Sequence, residues 1–296
     1  MTSFSDRLAA AVQRTNTPTL VGLDPRADQL PPGLLGADER DDPAAVARAF
    51  QQFSCAIIDV VAPLVAAVKP QAAFFEQCGP HGLTALAAVI QHARQKQLLV
   101  ILDGKRNDIG STAQAYAEAY VGAESVWGSD ALTVSPYLGD DSLDPFVQAS
   151  RDHSGGVFVL VKTSNPGGTF LQDLQVEGKT IYRRMAEHVE ALAAASVGDC
   201  GYGDIGAVVG ATYPEQLKEL RDVMPHAWLL VPGFGAQGGG AEDVLPAVDN
   251  KGLGAIVNSS RAIIFAHQRP EFKHLDWQRA VEAATQQMIE ALRTGP

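Results

Sequence analysis

Short runs of apolar, often β-branched residues recur along the chain. They alternate with longer stretches in which apolar positions return every three or four residues. Eight such runs stand out, at 19–25 (TLVGLDP), 66–75 (AAVKPQAAFF), 98–105 (LLVILDGK), 131–137 (ALTVSPY), 156–164 (GVFVLVKTS), 206–212 (GAVVGAT), 228–234 (WLLVPGF) and 254–260 (GAIVNSS). Helical spacing falls between them, for example over 44–61, 83–96, 111–121, 180–195 and 215–223. Strands that alternate with helices pair in parallel, and near-continuous apolar strands are buried on both faces. Eight units of this kind predict a (β/α)8 barrel, a TIM-type barrel formed as one domain over residues 1–296. A doubly wound open sheet is the alternative. It is disfavoured because no G-x-G-x-x-G follows the first strand. The Pro-, Gly- and Asp-rich segment 28–43 and the Gly-rich segment 196–206 exceed the minimal unit and read as loop insertions.

Polar residues cluster where barrel strands end, which is the face on which such barrels carry their sites. Asp24, Lys69, Asp103 with Lys105, Ser135, Thr163 with Ser164, Thr212, Gln237 and Arg261 all fall at or just beyond a strand end. Asp24 precedes Pro25 and fits either a turn or a carboxylate that accepts from a sugar hydroxyl. Lys69 lies inside an apolar run, so it needs a partner. That partner is either a structural carboxylate or a catalytic aspartate that the lysine orients.

The densest feature is Asp103-Gly104-Lys105-Arg106-Asn107-Asp108. In extended backbone Asp103 and Lys105 point the same way. Flanking acids keep the lysine protonated, and a fixed ammonium can stabilise a developing carbanion and then protonate it. Lys162 alternates with Ser164 and either points into the barrel or pairs elsewhere. The run Val231-Pro232-Gly233-Phe234-Gly235-Ala236-Gln237-Gly238-Gly239-Gly240 is expected to form a lid whose N–H groups can meet phosphate. With Arg261 after the eighth strand it predicts a phosphate site.

Composition narrows the partners. The 296 residues are 46% hydrophobic, enough for a full core. The net charge of −11 argues against nucleic acid and anionic membrane, though a small anion needs only local donors. The three cysteines, 55, 78 and 200, have no C-x-x-C spacing and suit a reducing compartment. No secretory leader, charge-free apolar span of membrane length or metal-ligand spacing is visible, so the cytosol is expected and a metal is not.

The D-x-K-x-x-D-I spacing of Asp103, Lys105, Asp108 and Ile109, the Thr163-Ser164-Asn165-Pro166-Gly167 run and the N-x-S-R ending at Arg261 resemble orotidine 5′-phosphate decarboxylases, specifically their longer bacterial branch. The resemblance covers nearly the whole chain. It implies decarboxylation of orotidine 5′-phosphate to uridine 5′-phosphate without metal or organic cofactor, in a homodimer with shared active sites. It further implies that Lys105 protonates C6, that Asp103 sits beside the substrate carboxylate, and that Lys69 links Asp103 to the ribose. Asp24 would bind the ribose, Ser164 the pyrimidine amide edge and Arg261 the 5′-phosphate. Gln237 would bridge phosphate and base, with Pro232 at the root of its loop. Asp108, Ile109 and Thr112 would reach the neighbouring subunit's site. Tyr116 and Tyr120, four residues apart, suit a buried contact face on the helix that carries Thr112. One departure is Ser260, where many members have Gly before the phosphate arginine. The rival is a metal-dependent sugar-phosphate decarboxylase or epimerase of the same barrel superfamily, which would share the phosphate site.

Overall fold

A computed structural model of the protein describes residues 2–212, 214–234 and 240–293. Its strands are β1 (Thr19–Leu23), β2 (Ala67–Pro70), β3 (Leu99–Arg106), β4 (Ala131–Val134), β5 (Gly156–Lys162), β6 (Gln175–Val176), β7 (Lys179–Thr180), β8 (Gly203–Val209), β9 (Ala227–Pro232) and β10 (Ala255–Ser259). Eight of them close a parallel barrel in the order β1-β10-β9-β8-β5-β4-β3-β2. These are the eight predicted runs, so the (β/α)8 barrel holds. The hairpin β6–β7 stands apart.

The barrel is built on the two-residue period of its strands. Leu20, Ala67, Ile101, Ala131, Phe158, Val208, Leu230 and Ile256, one from each strand, fill the lumen. Their neighbours, such as Val21, Val68, Val100 and Val257, face outward into the layer beneath the helices. The helix Phe4–Thr15 plugs the N-terminal end, with Phe4 edge-on to Phe158 at 6.0 Å between ring centres. Gly156 makes this fit possible, because a methyl group there would lie 2.3 Å from the Phe4 ring. The helix Pro43–Val61 is long and apolar enough to cross a membrane by length and composition. Here it buries Phe50, Phe53 and Ile57 in the outer layer of the barrel.

Several boundaries differ from the sequence expectation. The 66–75 run is a strand only to Pro70. Gln71 then caps the helix Ala72–Glu76 by accepting from the Ala73 N–H at 3.4 Å. The 196–206 segment is not all insertion, since β8 already begins at Gly203. The larger elaboration follows β5, where the short helix Thr169–Gln172 and the β6–β7 hairpin precede the helix Ile181–Ala194.

Candidate active site

Two residues beyond the lumen layer, the same strand faces carry Gly22, Lys69, Asp103, Thr133, Leu160, Gly210, Pro232 and Asn258. The period that fills the barrel with apolar side chains thus delivers Lys69, Asp103, Thr133 and Asn258 at its C-terminal mouth. Two adjoining cavities of about 160 and 190 Å³ open there and share Lys69, Asp103 and Pro232. The first continues to Asp24, Asn258, Ser260 and Arg261. The second continues to Lys105, Thr133, Thr163 and Ser164.

Asp103 is the centre of the site. One carboxylate oxygen accepts from Lys69 Nζ at 2.7 Å and Gln71 Nε2 at 2.9 Å. The other accepts from Lys105 Nζ at 2.5 Å and Thr133 Oγ1 at 3.0 Å. Burial alone would push this carboxyl up; the Lys69 and Lys105 charges and their hydrogen bonds more than reverse it and hold it well below the usual carboxylate range. Burial likewise works against the Lys69 charge, but Asp103 and Asp24 outweigh it and raise the ammonium's pKa. Both readings of Lys69 therefore meet in one contact, since its partner is the aspartate of the motif.

The two ammonium groups differ in access. The Lys69 side chain is 5% exposed and the Lys105 side chain 47%. Lys69 is a fixed internal counter-charge, whereas Lys105 presents its Nζ to the mouth. Lys105 also has φ +46°, a left-handed conformation unusual for a residue with a side chain. It occurs where the β3–β4 register shifts between Leu102 and Arg106, and the Lys105 N–H donates to Thr133 Oγ1 at 3.0 Å. Such backbone costs about 1–3 kcal/mol and persists only where neighbours enforce it.

The remaining predicted residues divide clearly. Asp24, Ser164, Pro232 and Arg261 line the cavities. Asp24 Oδ1 is buried and has no hydrogen-bond partner among the described residues, as expected of a group that receives a ligand hydroxyl. Gln237 lies outside the described residues, and so does the rest of 235–239. Asp108, Ile109 and Thr112 line neither cavity of their own chain. Asp108 Oδ1 accepts from the Ile109 N–H at 2.9 Å, while Ile109 is 58% exposed and Thr112 is exposed.

Of the two courses open to Lys162, it takes the second and pairs elsewhere. It is buried in an ion pair with Asp173, 5.3 Å from the centre of the Tyr182 ring, where the β5–β8 register shifts. Tyr116 and Tyr120 are half-buried, with the Arg106 guanidinium over their rings at 5.8 and 5.4 Å and Tyr120 also packed on Trp127. The sequence reading missed Gln71, Thr133 and Asn258. The available signal was their position, two residues beyond Lys69, Ala131 and Ile256 on the same strand faces.

Among the described residues, no three His, Cys, Asp or Glu side chains are grouped as metal ligands. Asp103 in particular has ammonium groups on both of its oxygens. A larger hollow of about 440 Å³, between the helices Arg261–Ile264 and Trp277–Arg293, is lined mainly by apolar side chains and converges on no acid–base pair.

Comparison with known proteins agrees with this geometry. The family model described as "Orotidine 5'-phosphate decarboxylase / HUMPS family" matches residues 20–272. A relative from Rhodopirellula baltica named orotidine 5′-phosphate decarboxylase is 60% identical over 301 residues, covering 99% of this chain and 100% of its own. One of the same name from Deinococcus radiodurans is 44% identical over 89% of this chain and 90% of its own. Among solved structures, a putative orotidine 5′-phosphate decarboxylase from Streptomyces avermitilis superimposes with a TM-score of 0.82 at 35% identity, covering 99% of this chain and 95% of that one.

Proposed function

The chain belongs to the orotidine 5′-phosphate decarboxylase / HUMPS family, and from that premise we propose that it is a carboxy-lyase converting orotidine 5′-phosphate to uridine 5′-phosphate and CO2 by direct proton donation from Lys105. The observation that carries this reading is the Asp103 carboxylate held between a buried and an accessible ammonium. When the bond from C6 to the carboxylate breaks, the electron pair stays on C6, in the ring plane and unable to enter the π system. A fixed cation at that carbon stabilises the pair as it forms, and the Lys105 ammonium then transfers its proton to C6. The neutral amine regains a proton from water. Asp103 sets the Lys105 ammonium and lies against the substrate carboxylate. Its charge opposes that of the departing group in the ground state and ceases to do so once CO2 has formed.

The other residues bind. Lys69 links Asp103 to the ribose, and Asp24 accepts from a ribose hydroxyl. Ser164 meets the amide edge of the pyrimidine. Pro232 roots the loop from which Gln237 would bridge base and phosphate, and Arg261 takes the 5′-phosphate. We also assign Asp108, Ile109 and Thr112 to the site of a second copy in a homodimer, because their own chain's cavities do not use them. We place the reaction in the cytosol, where the three free thiols would stay reduced.

The direct test is to treat purified protein with excess EDTA, add orotidine 5′-phosphate and follow its ultraviolet absorbance. Full turnover is expected, since ammonium groups fill the positions around Asp103 that a cation would need. Turnover that disappears in chelator and returns with Mg2+ would establish the metal-dependent rival.

Arg261→Ala is expected to weaken capture of orotidine 5′-phosphate by about 2–5 kcal/mol, the scale of a charged contact desolvated in a complex. Binding of the unphosphorylated nucleoside should change little. Titration of both ligands checks this, and equal losses would place the phosphate elsewhere.

A further inference from the structure

Ser260 occupies the mouth of the barrel in a setting that the reaction as described does not use. It follows β10, two residues beyond Asn258 on the same face and immediately before Arg261. All three line the cavity that also holds Asp24 and Lys69. We propose that the Ser260 hydroxyl donates a hydrogen bond to the phosphate ester of the substrate, and that Asn258 is the positioning residue that turns the hydroxyl to do so. This proposal rests on the nucleotide reading of the site given above.

Three features of the structure support it. First, the direction of the hydrogen bond is set. Asn258 is 7% exposed and its Nδ2 donates to Ser260 Oγ at 3.3 Å. An amide NH2 has no acceptor lone pair to offer, so the hydroxyl must accept here, and its own proton remains for another acceptor. The Asp24 Oδ1 in the same cavity does not take that proton, since it is buried without a partner among the described residues.

Second, space has been made for the hydroxyl. A methyl group on Gly22 of β1 would stand 1.9 Å from Ser260 Oγ and 2.9 Å from Asn258 Oδ1. Among the residues two beyond the lumen layer, Gly22 is thus the one whose missing side chain admits the Asn258–Ser260 pair. Third, Asn258 Oδ1 is itself buried and without a donor among the described residues. A buried amide with one end unsatisfied is uncommon in a settled core. It is expected in a binding site, where the ligand completes the network.

The phosphate is the acceptor that fits. Arg261, the next residue, lines the same cavity and carries a guanidinium fork suited to phosphate, and hydrogen bonds from neutral donors to an anion are among the stronger ones. A hydroxyl oriented by a fixed amide adds a directed donor where charge alone would leave orientation loose. Ser260 thereby contributes to preference for the phosphorylated nucleotide over the nucleoside.

The test compares Ser260→Ala and Ser260→Gly with the parent protein, using calorimetric titration of uridine 5′-phosphate and of uridine, together with kcat/KM for orotidine 5′-phosphate. Both variants are expected to bind uridine 5′-phosphate about tenfold more weakly, the scale of one hydrogen bond to a charged group. Their kcat/KM should fall by a similar factor, and uridine affinity should stay within about twofold of the parent. Asn258→Ala should show a smaller loss of the same kind, and should add nothing when combined with Ser260→Ala, because both remove the same contact. Ser260 variants that bind uridine 5′-phosphate like the parent, while the parent turns substrate over, would overturn the role of Ser260 alone. An equal loss for uridine would also overturn it, showing a packing effect instead. A parent protein that neither binds uridine 5′-phosphate nor decarboxylates would overturn the nucleotide reading and this proposal together.

Discussion

Lys105→Ala is expected to abolish decarboxylation while leaving nucleotide binding largely intact. In the proposed mechanism the lysine acts on charge that develops only as CO2 departs, so its removal would fall on kcat and not on ground-state affinity. General-acid and electrostatic contributions together put the loss at about 10⁴-fold or more. The structure also indicates why the variant should still fold. Asp103 would keep Lys69, Gln71 and Thr133 as partners, so no buried carboxylate is left without a counter-charge. The Lys105 N–H bond to Thr133 belongs to the backbone and survives the change. Single-turnover decarboxylation and titration with uridine 5′-phosphate separate the two effects. A variant with near-normal kcat would remove Lys105 from the mechanism, and one that lost nucleotide binding to the same degree would make the lysine a binding residue.

The parts of this site that were legible in the sequence are those set by local period. Asp103 and Lys105 stand two apart at the end of a strand and their side chains do meet, although Lys105 reaches the contact from a left-handed backbone at a register shift and not from extended geometry. The eight strands were legible because β-branched runs buried on both faces have little other use. What was not legible depends on contacts between distant segments. Nothing local distinguishes Lys69, which turns inward to Asp103, from Lys162, which a register shift leaves with Asp173. Gln71 reads as a polar residue after Pro70, yet its amide both caps the Ala72–Glu76 helix and holds Asp103. The place of Asn258 beside Ser260 depends on Gly22, which is more than 200 residues away in sequence. The aromatic pair Tyr116 and Tyr120 has the spacing of a contact face, and nothing local shows that Arg106 from the preceding strand would lie over both rings.

That last point bears on how two copies would share a site, and a mixing experiment is expected to show that Asp108 acts in trans. Asp108 follows the end of β3, and the helix Gly110–Tyr120 starts with Ile109 as its cap residue, without a capping side chain. Among the described residues Asp108 accepts only a local bond from the Ile109 N–H, so it is not an ordinary helix cap. Ile109 is 58% exposed, and Tyr137 and Leu138 beyond the neighbouring strand β4 are 74% and 48% exposed. Apolar side chains exposed at the barrel mouth beside an acid that its own site does not use fit a face covered by a second copy, and a two-fold axis would bring each Asp108 to the partner's Lys105. Lys105→Ala and Asp108→Asn proteins, each expected to be nearly inactive, would be unfolded and refolded together in equal amounts. If Asp108 acts in trans, a mixed dimer holds one site with both defects and one with neither. Random pairing makes about half of the dimers mixed, so about a quarter of the parent activity should return. If Asp108 serves its own chain, every site in every dimer keeps one defect, and the refolded mixture should be no more active than its two components.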